Sequence, residues 1–211
     1  GKDGKQVNSV VSVLAGAMDI RRWAGTFKAK LAFRNDETGN LAFVDYTQGG
    51  SVVTEIEDTL NVYHPDISPD GNWVAFCTGL EGVRGKSSVY VRSLDSIGSG
   101  LVKLDVENAA IPRWRVLESG DTVIVYVTDA GNNKDESVFK QASTWQVRFS
   151  KGKFGTPEKL FGGAYHGGVS DGNSFAVSGA RLLRARVAGV DTVWYNGEQA
   201  CNASLSHDKS K

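Results

Sequence analysis

A unit of about 45 residues recurs along this chain and restricts its possible folds more than any other feature. Four short apolar runs carry it: Leu31-Ala32-Phe33, Val74-Ala75-Phe76, Ile124-Val125-Tyr126 and Phe175-Ala176-Val177, ending at intervals of 43, 50 and 51 residues. A polar, Gly-rich stretch follows each, and then a second β-rich run: NLAFVDY (40–46), SVYVRSL (88–94), STWQVRF (143–149) and DTVWYN (191–196). These runs alternate apolar with polar side chains or are rich in β-branched and aromatic residues, as a half-buried pleated surface requires. Hairpin signals separate them, such as Glu37-Thr38-Gly39-Asn40 and Asp129-Ala130-Gly131-Asn132. Ahead of each apolar run stands a further short strand that ends in a turn. HPDISPDGNWVAF (64–76) is the clearest copy, and IPRWRVLESGDTVIVY (111–126), HGGVSDGNSFAV (166–177) and NASLSHDKS (202–210) align with it. IRRWAGTFKAKLAF (20–33) reads as a degenerate copy. The anchors Trp23, Ile67, Trp114, Val169 and Leu205 then mark five first strands.

Such units, with no long helical period between them, predict an all-β fold: a propeller of four-stranded antiparallel blades, four complete and part of a fifth. The expected blades run over 17–60, 61–108, 109–162 and 163–198, with a partial one at 199–211. Residues 1–16 form an N-terminal segment in which Val10-Val11-Ser12-Val13-Leu14 is a possible closing strand. A ring must close to remove its sheet edges, so the unfinished fifth unit is expected either to continue into a larger propeller, the favoured reading, or to be completed by that N-terminal run.

The motif Ser68-Pro69-Asp70-Gly71-Asn72 before Val74-Ala75-Phe76, with Ser88-Val89-Tyr90-Val91 after it, resembles the WD-like repeat of the TolB-type β-propellers of bacteria. The resemblance is clearest over 64–94. It weakens at Trp114, which an enlarged turn follows, and at Trp23, where Ala24-Gly25 replaces the Asp-Gly turn. It implies a bacterial exported protein, periplasmic or extracellular and possibly lipid-anchored in its full-length form, with further domains of the same polypeptide.

Charge and composition exclude several classes. With 24 Lys+Arg against 24 Asp+Glu the formal net charge is zero, so no bulk attraction draws nucleic acid. No stretch approaches the ~20 apolar residues of a membrane span. Two cysteines cannot build a disulfide scaffold, and Cys77 and Cys201 fall on non-adjacent blades. The 25 glycines are accounted for by repeated hairpin turns.

Several motifs suggest chemistry and are better read as structure. Asp70-Gly71 and Asp171-Gly172 are what tight hairpins demand, the carboxylate binding local N–H groups and the glycine taking φ > 0. Gly168-Val169-Ser170-Asp171-Gly172 matches a nucleophile elbow, but a strand and not a helix follows it. Residues 129–136 lack the central glycine and distal glutamate of an EF-hand loop. His64 and His166 each follow a tyrosine and precede an anchor by three residues, so they are equivalent in their blades. Inner strands line a propeller's channel, and their starts surround one mouth. That mouth is expected to gather His64, Asp66, Arg113, His166 and Arg21, together with Arg22 and Asn202.

The expected function is a non-catalytic binding or scaffold module that holds a protein, peptide or glycan partner at this mouth or at the blade edges, without a cofactor. The alternative is a metal-assisted polysaccharide lyase or hydrolase using His64 and His166, since a TolB-like group of oligouronide lyases holds a metal through channel histidines.

Overall fold

The computed structural model describes residues 4–80, 86–94, 100–129, 137 and 141–163, and the backbone of three strands between 175 and 194. In chain order the elements are β1 (Lys5–Asn8), α1 (Ala17–Ala24), β2 (Lys30–Arg34), β3 (Leu41–Asp45) and β4 (Thr54–Glu57). Next come β5 (Tyr63–Ile67), β6 (Trp73–Cys77), β7 (Val89–Ser93) and β8 (Val102–Lys103). They are followed by β9 (Ala109–Val116), β10 (Thr122–Thr128), β11 (Ser143–Ser150), β12 (Lys153–Phe154) and β13 (Glu158–Gly162). The last are β14 (Phe175–Gly179), β15 (Leu182–Val187) and β16 (Val190–Trp194). All pairing is antiparallel, in sheets ordered β1-β4-β3-β2, β5-β6-β7-β8, β9-β10-β11-β12 (with β13 also on β11) and β14-β15-β16. Among the described residues the first three sheets pack in succession, sharing two core layers, and the four sheets are not joined strand to strand.

The repeat is visible in the register. Ile67 pairs with Val74 and Asp66 with Ala75 in the second blade, and Trp114 with Ile124 and Arg113 with Val125 in the third. Both inner strands carry a bulge at the same place. There His64 and Ile111, each just before a proline, take a left-handed φ of 52°. A non-glycine residue seldom adopts that region, least of all before proline. Neighbouring strands must therefore hold it in place.

Alternate residues along each strand face opposite neighbours, and this sorts the core into layers. Leu41 and Phe43 of β3 and Ile56 of β4 meet Val74 and Phe76 of β6 between the first and second blades. Ala75 and Cys77 of β6, with Val89 and Val91 of β7, meet Trp114, Ile124, Tyr126, Val147 and Phe149 between the second and third. Small residues on one face thus receive large ones from the next. Phe149 joins three rings edge to face: Trp73 at 5.3 Å, Trp114 at 5.5 Å and Phe154 at 5.1 Å. Such pairs add about 0.5–1.5 kcal/mol each beyond burial.

The first blade departs from the sequence expectation. Residues 20–23 lie in the helix α1 and not in a strand, and Trp23 is 72 % exposed, so it anchors no sheet. The physical reason is local. Gly16 donates its N–H to the Asp19 carboxylate at 3.1 Å, and Gly25, at φ 71°, closes the helix by donating to Arg21 O. Ala, Met and Arg between these ends favour helix, and no Asp-Gly turn follows Trp23 to fold a hairpin back. Ala17 and Ile20 of the helix pack, with Val13, over Ala42, Val44, Tyr46 and Val53 on the outer face of this blade. Val10 and Leu14, expected in a closing strand, are outside any strand and exposed. The N-terminal strand is β1, which pairs with β4.

Candidate ligand mouth at the inner strands

The starts of β5 and β9 lie side by side, and three of the expected mouth residues come together there. Arg113 donates from Nη1 to the carbonyl of His64 at 3.4 Å and to that of Pro112 at 2.9 Å. Asp66 accepts the Trp114 backbone N–H on Oδ2 at 2.8 Å, and its own carbonyl accepts the Trp114 indole Nε1–H at 2.9 Å. Two blades are therefore stitched by their inner strands. Burial pushes the Asp66 carboxyl above its ordinary range, although the Trp114 N–H and the Arg113 charge pull the other way. Asp66 is thus a structural acceptor held in a cation's field. Arg113 and His64 are both half-buried.

Arg21 and Arg22 are exposed on α1, with the Arg21 guanidinium 4.9 Å from the centre of the Phe27 ring. His166, Asn202, Asp171, Gly172 and Cys201 lie outside the described residues. Among the described residues no three His, Cys, Asp or Glu side chains form a metal-holding group.

The Asp70-Gly71 turn is built as its composition demands. Asp70 accepts from the Ser68 hydroxyl and from Asn72 N–H at 3.0 Å, Ser68 Oγ accepts Trp73 N–H at 3.0 Å, and Gly71 takes φ 72°. Burial raises the Asp70 carboxyl, but these donors, led by Ser68, lower it by more, so the net direction is down.

Other groups escaped the sequence reading because their partners are distant along the chain. Glu55 is 4 % exposed and accepts from Ser9 Oγ at 2.8 Å, Asn35 Nδ2 at 2.9 Å, Thr38 Oγ1 at 2.6 Å and Asn40 Nδ2 at 2.9 Å. Lys30 of the first blade donates to Gly71 O at 2.8 Å across the blade boundary, and pairs with Asp45 at 3.5 Å. Cys77 Sγ accepts Ile111 N–H at 3.4 Å beneath the third blade's bulge, and burial pushes its thiol up. The hairpin signal Glu37-Thr38-Gly39-Asn40 marked a turn but not the carboxylate it encloses.

No family model and no curated protein matches the chain. Similar solved structures include Kuenenia stuttgartiensis hydrazine synthase, at 13 % identity and a TM-score of 0.43 over 79 % of this chain and 49 % of that one. A Mycobacterium tuberculosis puromycin-hydrolyzing peptidase is similar at 14 % identity and 0.46, over 79 % of this chain and 30 % of that one. A prolyl endopeptidase is similar at 11 % and 0.42, over 81 % and 26 %. The chain spans about half the length of the first of these and less of the other two.

Proposed function

We propose that the chain is a non-catalytic binding or scaffold module whose blades hold a protein, peptide or glycan partner at the inner-strand mouth around His64 and Arg113. One observation carries this reading. Two neighbouring inner strands, each bent by a left-handed residue before proline, set the Arg113 guanidinium against the backbone carbonyl of His64, with both residues half-buried. Fixed strands present a partner with little ordering cost. A guanidinium suits the carboxylates of acidic peptides and uronic sugars alike. On the sequence resemblance alone, the proposal extends to an exported bacterial protein of TolB-like type.

Arrays of acidic peptides and glycans, probed with the full chain and with Arg113→Ala and His64→Ala, test it. The expected result is a partner retained by the parent and weakened at least tenfold in Arg113→Ala, with the far-UV spectrum preserved. Equal binding by parent and both variants, or cleavage of a polyuronide by the parent, would overturn it.

A further inference from the structure

We infer that the face built by residues 10–28 and the β3–β4 connection at 46–52 is a docking surface for a lipid bilayer rich in anionic phospholipid. Of the seven large apolar side chains exposed among the described residues, five belong to it: Val10, Leu14, Met18, Trp23 and Val52. The fold gathers them. Ser9 N–H donates to Val53 O at 3.0 Å, one step past the β1–β4 register, and so sets Val10 and Val52, the next residue on each side, at one edge. Val13 packs on the blade and the Ala15 carbonyl accepts the Tyr46 hydroxyl at 3.2 Å, which leaves Leu14 between them turned outward. On α1, Ala17 and Ile20 face the blade, so the helical period carries Met18, Arg22 and Trp23 to the other side.

The charge on this face specifies the occupant. It holds three cations, Arg21, Arg22 and Lys28, all exposed, and one acid, Asp19, whose carboxylate is engaged by Gly16 N–H. The chain as a whole balances 24 cations against 24 acids, so the excess belongs to the face and not to the composition. A second copy meeting it across a two-fold axis would bring the same cations together. The apolar side chains stand clear of the protein instead of lining a hollow: Leu14 is 105 % and Val10 88 % exposed. Such a face suits a fluid layer. Apolar side chains of interfacial segments enter the headgroup boundary by about 5–10 Å while Lys and Arg meet anionic lipids, and tryptophan settles at the same boundary. Among the described residues no helix is long and apolar enough to cross a bilayer, so the contact is with its surface.

Co-sedimentation of the full chain with vesicles tests it. Vesicles of phosphatidylglycerol and phosphatidylcholine in equal parts should bind the parent at least tenfold more tightly than phosphatidylcholine alone, and less tightly as salt is raised. Leu14→Asn with Trp23→Asn removes apolar contact at constant charge, and Arg21→Gln with Arg22→Gln removes charge alone; each pair should weaken binding at least tenfold. All four side chains are exposed, so both variants should keep the far-UV spectrum of the parent. Should either fail to fold, quenching decides. Vesicles containing brominated phosphatidylglycerol should quench part of the parent's tryptophan emission, and Trp23→Phe should lack that part; equal quenching of the two would overturn the inference. No binding by the parent, equal binding to the two vesicle types, or unchanged binding in the Leu14 and Trp23 pair would overturn it as well. So would capture of the parent by soluble polyglutamate as tightly as by the mixed vesicles, which would assign the face to an acidic protein.

Discussion

At the scale of single residues, Glu55 shows how a charge becomes tolerable inside a small all-β chain. Its four donors come from the β1 end and the β2–β3 turn. Burial pushes the carboxyl up, but the hydroxyl and amide donors outweigh it and bring it down to about 2. A depressed native pKa gives stability that is complete above the unfolded value, near 4.3, and lost as pH falls through about 2. Glu55→Gln should cost about 1–3 kcal/mol at pH 7, because its amide turns a donor toward donors. Urea titrations at pH 7 and pH 3 check this, and the variant should lose less stability than the parent on acidification. Gly71 and Asp70 were legible in the sequence because a hairpin dictates its own residues. Glu55 was not, since nothing within ten residues of it names Ser9 as a partner.

At the scale of elements, the contrast between β5 and α1 is instructive. Both were expected as first strands on the strength of an apolar anchor, Ile67 and Trp23. β5 has the Ser68–Asp70 turn to fold it back onto β6, and α1 has a glycine at each end and no such turn. Local capping therefore overrode the repeat. The stitch between β5 and β9 gives a pH prediction of opposite sign to that of Glu55. Asp66 has its pKa raised in the native state, so its contribution is fully present below the unfolded value, near 3.9, and is lost as pH rises through the native one. Asp66→Asn keeps an acceptor for Trp114 N–H, and should fold at pH 7 with stability within about 1 kcal/mol of the parent. Its thermal midpoint should change less than the parent's between pH 4 and pH 8. A midpoint as pH-sensitive as the parent's would show that another group titrates.

At the scale of the whole molecule, the blades share their cores. Val74 and Phe76 of β6 face the first blade, and Ala75 and Cys77 of the same strand face the third. Neither face of the second blade is buried without its neighbours. The three blades should therefore unfold together. Phe149, 6 % exposed and in contact with three rings, is the test. Phe149→Ala should cost about 3–5 kcal/mol. It should shift tryptophan fluorescence and far-UV dichroism to one common lower midpoint. Two separated transitions would show the blades to be independent.

What the sequence determined by itself is the repeated unit: strand period, turn residues and apolar anchors act over a few residues, and one chain displays them without reference to its fold. The strands at 63–67, 73–77, 89–93, 109–116, 122–128 and 143–150 follow from it. Only the tertiary structure decided which copy of the unit becomes a helix and which strand fills the outer edge of the first blade. It also decided which polar groups, forty or more residues apart, meet across a blade boundary, as Asp66 and Trp114 do. Those outcomes depend on through-space burial and on competition between caps and sheet edges, and neither is written in the order of neighbouring residues.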